Sequence, residues 1–164
     1  MNDLKKLLCE FLSGAERLVV LGAGSTLRGD DAAGMALTER LTERFEENEN
    51  IRCYLGETAP ENYSGSIKRF RPTHLLVVDA ADMGQTPGAV FPIDPNDVGG
   101  ISCCTHMLPL KVMLTYLAQE TGAKLLLLGI QPKSMEFEAP LTIEAEKAVD
   151  ALYEAVAEAA GALK

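Results

Sequence analysis

Three ionisable residues stand where neighbouring segments of the chain would bring them to one place. Asp31 follows an apolar run over 18–21 and a glycine turn, Asp79 ends a second apolar run over 75–78, and His106 precedes a helical pattern. Two carboxylates and an imidazole form a ligand set that suits a divalent transition metal such as nickel or zinc. Three protein ligands leave coordination positions open for a substrate. We therefore predict a metal site made by Asp31, Asp79 and His106.

The stretch around Asp31 allows a second interpretation. Residues 18–34 read LVVLGAGSTLRGDDAAG, in which Gly22 and Gly24 match the start of the dinucleotide-binding pattern G-x-G-x-x-G. The third glycine is replaced by Leu27, and two acids lie where a pyrophosphate needs a helix N-terminus free of other anions. We therefore favour the interpretation in which these two acids face a cation. A nucleotide-binding module stays an alternative, and it predicts protection from thermal unfolding by NAD or ATP.

Each of these acids also has a purely structural interpretation. Asp30, at a helix start, is expected to be an N-cap rather than a ligand, and the helix dipole would also favour Asp31 there. Asp79 could accept hydrogen bonds from the following turn, although a carboxylate that ends an apolar run is costly to bury. Asp82 is expected to cap the turn in which it lies. His74 stands at the opposite end of the third strand from Asp79, and we predict a surface histidine there.

Hydrophobic periodicity predicts an alternating series of strands and helices. The fourth strand follows the third too closely for a parallel crossover, so we expect it to run antiparallel to the third strand or to lie at an edge, where Pro92 is tolerated. The sequence therefore predicts an α/β protein, a three-layer α/β/α domain with a five-stranded, mostly parallel sheet whose fourth strand is antiparallel. The predicted strands are 18–22, 51–55, 74–80, 89–93 and 124–130, and the predicted helices are 3–12, 31–47, 58–70 (opened by a capping box at 58–61), 107–120 and 142–160 (capped by Thr142).

The carboxyl edge of this sheet is the expected place of the site. If the first and third strands are neighbours, Asp31 and Asp79 face one crevice, and the loop that carries His106 can lie over it. Residues 129–132, at the end of the fifth strand, are expected to shape a substrate groove on the same edge. Cys103 and Cys104 precede the histidine, but adjacent side chains in an extended segment point apart, so we expect at most one of these two thiols to join the site.

Composition and charge restrict the classes of function. The chain has 164 residues and a net charge of −9, which argues against nucleic-acid binding, and no apolar run approaches the ~20 residues of a membrane span. The start has no secretory pattern, and the cysteines show no C-x-x-C spacing. We expect one domain over 1–164 with an extra N-terminal helix within 1–15, in a cytoplasmic, monomeric protein with reduced thiols.

Five blocks of the sequence together resemble the family of hydrogenase maturation endopeptidases, over about residues 18 to 155. The last three blocks are most similar to the enzyme type that processes the hydrogenase of the formate-hydrogenlyase system, hydrogenase 3. One departure is Ser25, where the family usually has asparagine, and a serine can still hydrogen-bond the turn. The blocks are LGAGSTLRGDDAAG (21–34), APEN (59–62), RPTHLLVVDAADMGQTPGAVFPIDPNDV (71–98), THMLPL (105–110) and GIQPKSMEFEAPLT (129–142).

The resemblance implies an endopeptidase that removes the C-terminal extension from the large-subunit precursor of a nickel–iron hydrogenase. The family's two acids and histidine match Asp31, Asp79 and His106, which would bind the nickel carried by the precursor and take part in catalysis. Cleavage would follow a Cys-x-x-Cys-x-x-His or Cys-x-x-Cys-x-x-Arg motif. Two other functions stay open: a non-hydrolytic nickel-checking chaperone or metal-binding module with the same ligands, and a protease in which Cys103 or Cys104 is the nucleophile.

Overall fold

The strand β3 (His74–Ala80) lies at the centre of the fold. In the computed structural model, which describes residues 2–94 and 107–163, all seven residues of β3 are buried. Both faces of the strand are covered, which explains why its sequence is apolar up to Asp79 instead of alternating. Its neighbour β1 (Leu18–Gly22) is also fully buried. The candidate acids therefore extend from the best-covered part of the sheet.

Strands and helices alternate along the described residues as the sequence predicts. Four of the predicted strands have the observed bounds, and β4 begins one residue later than predicted. None of the helices within the described ranges has the length and apolarity needed to cross a membrane. The remaining strands are β2 (Ile51–Leu55), β4 (Val90–Ile93) and β5 (Lys124–Ile130), and the α-helices are α1 (Asn2–Phe11), α2 (Ala33–Arg44), α3 (Ser64–Phe70), α4 (Met107–Thr121) and α5 (Ile143–Ala160).

The sheet has the strand order β2-β1-β3-β5-β4. All neighbouring strands are parallel except β4, which is antiparallel to β5, with Val90 opposite Ile130. The predicted antiparallel fourth strand at an edge is confirmed, and Pro92 lies in that edge strand. The partner of β4 is β5 rather than β3, because the later strand β5 occupies the free side of β3.

Two apolar cores fill the space between the sheet and its helices, and they confirm the three-layer architecture. Helices α1, α2 and α5 cover one face, where they meet Leu76 and Val78 of β3. Helices α3 and α4 cover the other face, where they meet Leu75 and Val77. Because side chains alternate along a strand, Asp79 lies on the α3 and α4 side of the sheet.

The predicted helix over 31–47 begins differently in the structure. A 3-10 turn over Gly29–Ala32 precedes α2, which starts at Ala33. The backbone N–H groups of Gly29 and Asp30 donate to the carbonyl oxygens of Ala139 and Ser134. These donors serve a distant loop, so the turn that carries Asp30 and Asp31 is shaped by tertiary contacts rather than by helix propensity.

The two predicted helix caps have different outcomes. The capping box at 58–61 is wrong: the N-cap is Ala59, which has no side-chain oxygen, and the segment begins as a 3-10 turn over Pro60–Tyr63 before α3. The Thr142 cap is confirmed, since Thr142 is the N-cap of α5 and its Oγ1 accepts a hydrogen bond from the backbone N–H of Ala145. A cap pattern in the sequence therefore predicts the wrong helix start when the actual N-cap lies one residue further along the chain.

Candidate functional site

Asp31 lies in the 3-10 turn that follows the glycine loop after β1. It is 8% exposed, and its Oδ2 accepts a hydrogen bond of 2.8 Å from the backbone N–H of Ser25. Gly24 has a φ of +122°, and a Cβ added there would collide with the carbonyl oxygen of Asp31. The Oγ of Ser25 accepts a hydrogen bond from the backbone N–H of Leu27 at 3.3 Å, as predicted for a serine in this turn. The loop thus folds closely over the acid that follows it.

Asp79, the last residue but one of β3, is the most deeply buried of the predicted site residues in the described part of the chain. It is 1% exposed, and its Oδ1 accepts a hydrogen bond of 2.8 Å from the backbone N–H of Ala80. Its Oδ2 has no hydrogen-bond partner within residues 2–94 and 107–163. Burial, and after it the negative charge of Asp31, raise the pKa of Asp79 to about 7, and the Ala80 hydrogen bond offsets part of this increase.

The structure brings Asp31 and Asp79 together, since the 3-10 turn of Asp31 contacts β3 and the charge of one acid acts on the other. His106 directly precedes the first residue of α4, but it lies outside the described residues, as do Cys103 and Cys104. Within the described ranges, no three or more His, Cys, Asp or Glu side chains are grouped to hold a metal ion. Asp31 and Asp79 therefore form a neighbouring pair of carboxylates, and the metal site made by Asp31, Asp79 and His106 stays a prediction.

The prediction that Asp30 is a helix N-cap is wrong. The N-cap of its turn is Arg28, whereas the Asp30 carboxylate, 1% exposed, crosses to the segment between β5 and α5. Oδ2 accepts hydrogen bonds from the backbone N–H groups of Lys133 (2.8 Å) and Ser134 (3.2 Å) and from Oγ1 of Thr142 (2.9 Å), and Oδ1 accepts one from the backbone N–H of Thr142 (2.7 Å). Burial acts to raise the pKa of Asp30, but these hydrogen bonds outweigh it and lower the pKa below its ordinary value.

The two adjacent acids therefore have separate roles. The oxygens of Asp30 are occupied by N–H and O–H donors, so this side chain fixes a loop and has little capacity left for a cation. Asp31 receives a single N–H bond among the described residues, and its negative charge acts on Asp79. No local pattern in the sequence indicates this division, because the partners of Asp30 lie more than 100 positions further along the chain.

Gln131 is a further candidate residue of the site. The sequence pattern placed it only within the segment 129–132, which was expected to shape a substrate groove. The side chain is 5% exposed, its Oε1 accepts hydrogen bonds from the backbone N–H groups of Met83 (2.9 Å) and Gln85 (3.0 Å), and its Nε2 donates to Oδ1 of Asp82 (3.0 Å). Asp82 also accepts from the backbone N–H of Gly84, which confirms its predicted turn-capping role. The available signal in the sequence was a polar residue at the end of an apolar run, which is also the signal that indicated Asp79.

His74 is buried, so the prediction of a surface histidine is wrong. It is 3% exposed, its ring packs edge-on against Phe11 of α1 at 5.2 Å between centroids, and its Nδ1 lies 3.0 Å from Oγ1 of Thr73. The N-terminal helix covers this end of the sheet, which the sequence pattern of β3 alone does not reveal. His74 is five positions from Asp79 at the other end of β3, so its predicted absence from the site crevice is consistent with the structure.

Chemically, the described part of the site is a pair of carboxylates at the carboxyl edge of a parallel sheet. A carboxyl group with a pKa of about 7 exchanges protons readily near neutral pH. Carboxylate oxygens are also suitable ligands for a divalent ion. The arrangement can therefore bind a cation, transfer a proton to or from water, or do both.

Comparison with known proteins identifies the family. The family model described as hydrogenase maturation protease matches residues 35–159. Hydrogenase 3 maturation protease of Escherichia coli (strain K12) is 37% identical over 137 residues, which cover 83% of this chain and 86% of that protein. The crystal structure of a NiFe hydrogenase maturation protease, HycI from Thermococcus kodakarensis KOD1, aligns with a TM-score of 0.85 at 32% identity, over 93% of this chain and 97% of that one.

A second enzyme type in the same comparisons has the same fold. The hydrogenase maturating endopeptidase HybD from E. coli aligns with a TM-score of 0.72 at 28% identity, over 88% of this chain and 92% of that one. These matches, together with the shared three-layer fold, define the protein as a protease, and hence a hydrolase. The chain belongs to the hydrogenase maturation protease family.

Proposed function

We propose that this protein is an endopeptidase that removes the C-terminal extension from the nickel-loaded precursor of a nickel–iron hydrogenase large subunit, and that it recognises the nickel through Asp31, Asp79 and His106. The nickel belongs to the substrate, because the precursor delivers it. Membership of the protease family supports the proteolytic role. The names of the relatives support a hydrogenase as the target.

The observation that carries the proposal is the environment of Asp79. Its Oδ2 is buried without a hydrogen-bond donor among the described residues, and a second carboxylate, Asp31, acts on it. Burying an unpaired carboxylate oxygen is unfavourable, and the neighbouring negative charge adds to the cost. A divalent cation between the two acids would compensate both charges, which is the expected property of a site that meets a metal-loaded substrate.

In the proposed reaction, water attacks the carbonyl carbon of the scissile peptide bond. One of the two carboxylates accepts a proton from that water, and the proton passes to the amide nitrogen as the C–N bond breaks. The nickel of the substrate, held by the three side chains, positions the scissile bond, which follows a Cys-x-x-Cys-x-x-His or Cys-x-x-Cys-x-x-Arg motif. Asp30 takes no part in proton transfer, because its oxygens are occupied by Lys133, Ser134 and Thr142.

Mass spectrometry of a nickel-loaded precursor incubated with the protein tests this proposal. We expect loss of one defined C-terminal peptide, and no loss from the nickel-free precursor. Asp31→Asn, Asp79→Asn and His106→Ala should each reduce the cleavage rate by about 100-fold or more. Cys103→Ser and Cys104→Ser serve as controls and should cleave at the normal rate.

Three other results would contradict the proposal. Loss of cleavage in either cysteine variant would identify a thiol nucleophile in place of the carboxylates. Binding of the nickel-loaded precursor without loss of any peptide would instead identify a nickel-checking chaperone. Equal cleavage of nickel-loaded and nickel-free precursors would show that the enzyme is a protease that does not use the metal.

A further inference from the structure

Three large apolar side chains are exposed on the loops that leave the carboxyl ends of β1, β3 and β5. Leu27 is 57% exposed, Met83 42% and Phe137 62%. The three strands are adjacent at the centre of the sheet, so their loops surround the same edge. The other large apolar side chains exposed in the described residues lie on the helices α4 and α5. Exposed apolar groups concentrated at one edge commonly mark a binding surface.

The loops that carry Leu27 and Phe137 are bonded to each other. The backbone N–H of Glu138 donates to the carbonyl oxygen of Leu27 at 2.8 Å, and the backbone N–H of Gly29 donates to that of Ala139 at 3.1 Å. Glu138 has a φ of +59°, a backbone conformation that is energetically unfavourable for residues other than glycine. The structure therefore holds the two backbone segments that carry Leu27 and Phe137 together, although the backbone conformation of Glu138 is unfavourable.

The loop of Met83 is fixed in a similar way. The buried Gln131 amide oxygen accepts the backbone N–H of Met83, and Gln131 directly follows β5. Met83 is thus bonded to the start of the segment that carries Phe137. Leu27, in turn, lies in the loop that folds over Asp31. Hydrogen bonds therefore hold the backbone of all three loops at the edge of the sheet where the two acids lie.

We propose that Leu27, Met83 and Phe137 form an apolar rim that binds an extended segment of the precursor polypeptide next to the scissile bond. This inference rests on the proposed function. A protease must receive a polypeptide at the edge where its acids lie, and the rim is continuous with that edge. A segment that bears apolar side chains is the matching occupant, because burying such side chains against the rim releases water from both surfaces.

Steady-state cleavage of the nickel-loaded precursor tests the rim. Phe137→Ser should raise KM about tenfold, since the ring supplies the largest apolar surface of the three, and Leu27→Ser and Met83→Ser should raise it less, with kcat altered less than KM. Val112→Ser is the matched control: Val112 is 64% exposed but lies on the helix α4 rather than on one of the three loops, and the KM of this variant should be unchanged. Unchanged KM in all three rim variants, or an equal increase in the control, would overturn the proposal.

A binding measurement separates this proposal from the proposed function. The nickel-free precursor, which the proposed enzyme does not cleave, should bind through the rim, so Phe137→Ser should raise its dissociation constant about tenfold, whereas Val112→Ser should not. If the wild-type protein binds the precursor but cleaves nothing, the endopeptidase proposal fails and the rim is still tested by this comparison. If Phe137→Ser binds as tightly as its parent, the rim is wrong whatever the cleavage result.

Discussion

The negative charge of Asp31 reinforces the effect of burial on Asp79, and together they raise the pKa of the Asp79 carboxyl group to about 7. Burial is the larger of the two causes. In the metal-free protein, ionisation of both acids is therefore unfavourable. At neutral pH a substantial fraction of Asp79 is protonated. A cation held by both acids would remove that cost, so the same two residues that weaken the fold are suited to recognise a metal-bearing substrate.

Asp79→Asn should stabilise the metal-free protein at pH 8 and have little effect at pH 4. The pKa of Asp79 in the folded protein, about 7, exceeds its ordinary value of 3.8. The contribution of Asp79 to the free energy of unfolding is therefore most favourable below pH 3.8 and is lost as the pH rises through 7. By linkage the difference amounts to at most about 4 kcal/mol. Urea unfolding at both pH values measures it, and a difference in unfolding free energy that does not vary with pH would contradict the raised pKa.

Asp30→Asn should release the segment between β5 and α5, and Asp31→Asn should not. An amide presents one oxygen and one NH₂ group to donors on Lys133, Ser134 and Thr142, so at least one of them loses its acceptor. We expect a loss of about 2–4 kcal/mol in unfolding free energy and faster amide hydrogen exchange at these three residues. Exchange rates that are the same in the two variants would show that the Asp30 bonds do not hold this segment.

The protein should lose stability below about pH 6.5 by an amount that depends on His74. Burial, and then the positive charge of Lys124, lower the pKa of His74 below 6.5. The favourable contribution is thus complete above 6.5 and is lost as the pH falls through the folded pKa. Thermal midpoints from pH 4.5 to 8 measure this loss.

Two variants separate the causes. His74→Phe keeps a ring beside Phe11 and should flatten the acid part of the profile. Lys124→Met removes the second cause, so it should reduce the loss without abolishing it. An acid profile that is unchanged in His74→Phe would assign the loss to other groups.

Gly24→Ala should reduce precursor cleavage far more than Gly14→Ala. Both glycines have positive φ, +122° and +77°, so alanine is strained at either position, at about 1 kcal/mol. Only at position 24 would the new Cβ meet Asp31, whereas nothing lies within 4 Å of a Cβ at position 14. Cleavage rates, corrected for the folded fraction from unfolding curves, compare the two. Equal rates would mean that displacement of Asp31 is not what Gly24 prevents.

The positions of the strands along the chain were predictable because apolar runs have a local cause. The bounds of β1, β2, β3 and β5 follow directly from where those runs begin and end. Asp79 was recognisable for the same reason, since a carboxylate at the end of such a run has few structural explanations. The antiparallel β4 followed from the shortness of its connection.

The remaining features depend on contacts between distant segments. Asp30 is bonded to Thr142, 112 positions later, and His74 is covered by the helix that contains Phe11. Neither partner can be read from the residues around Asp30 or His74, so a helix cap and a surface position were the natural predictions. His106 lies outside the described residues, and its place beside the acids stays a prediction.

Pro92 in β4 has a consequence for how the protein behaves at high concentration. The outer side of an edge strand ordinarily presents free N–H and C=O groups on which another chain can assemble. Proline has no N–H, and β4 is only four residues long, so this margin offers a poor template for a sixth strand. Among the described residues, the sheet therefore ends on this side in a strand that gives little support to fibrous association between copies of the chain.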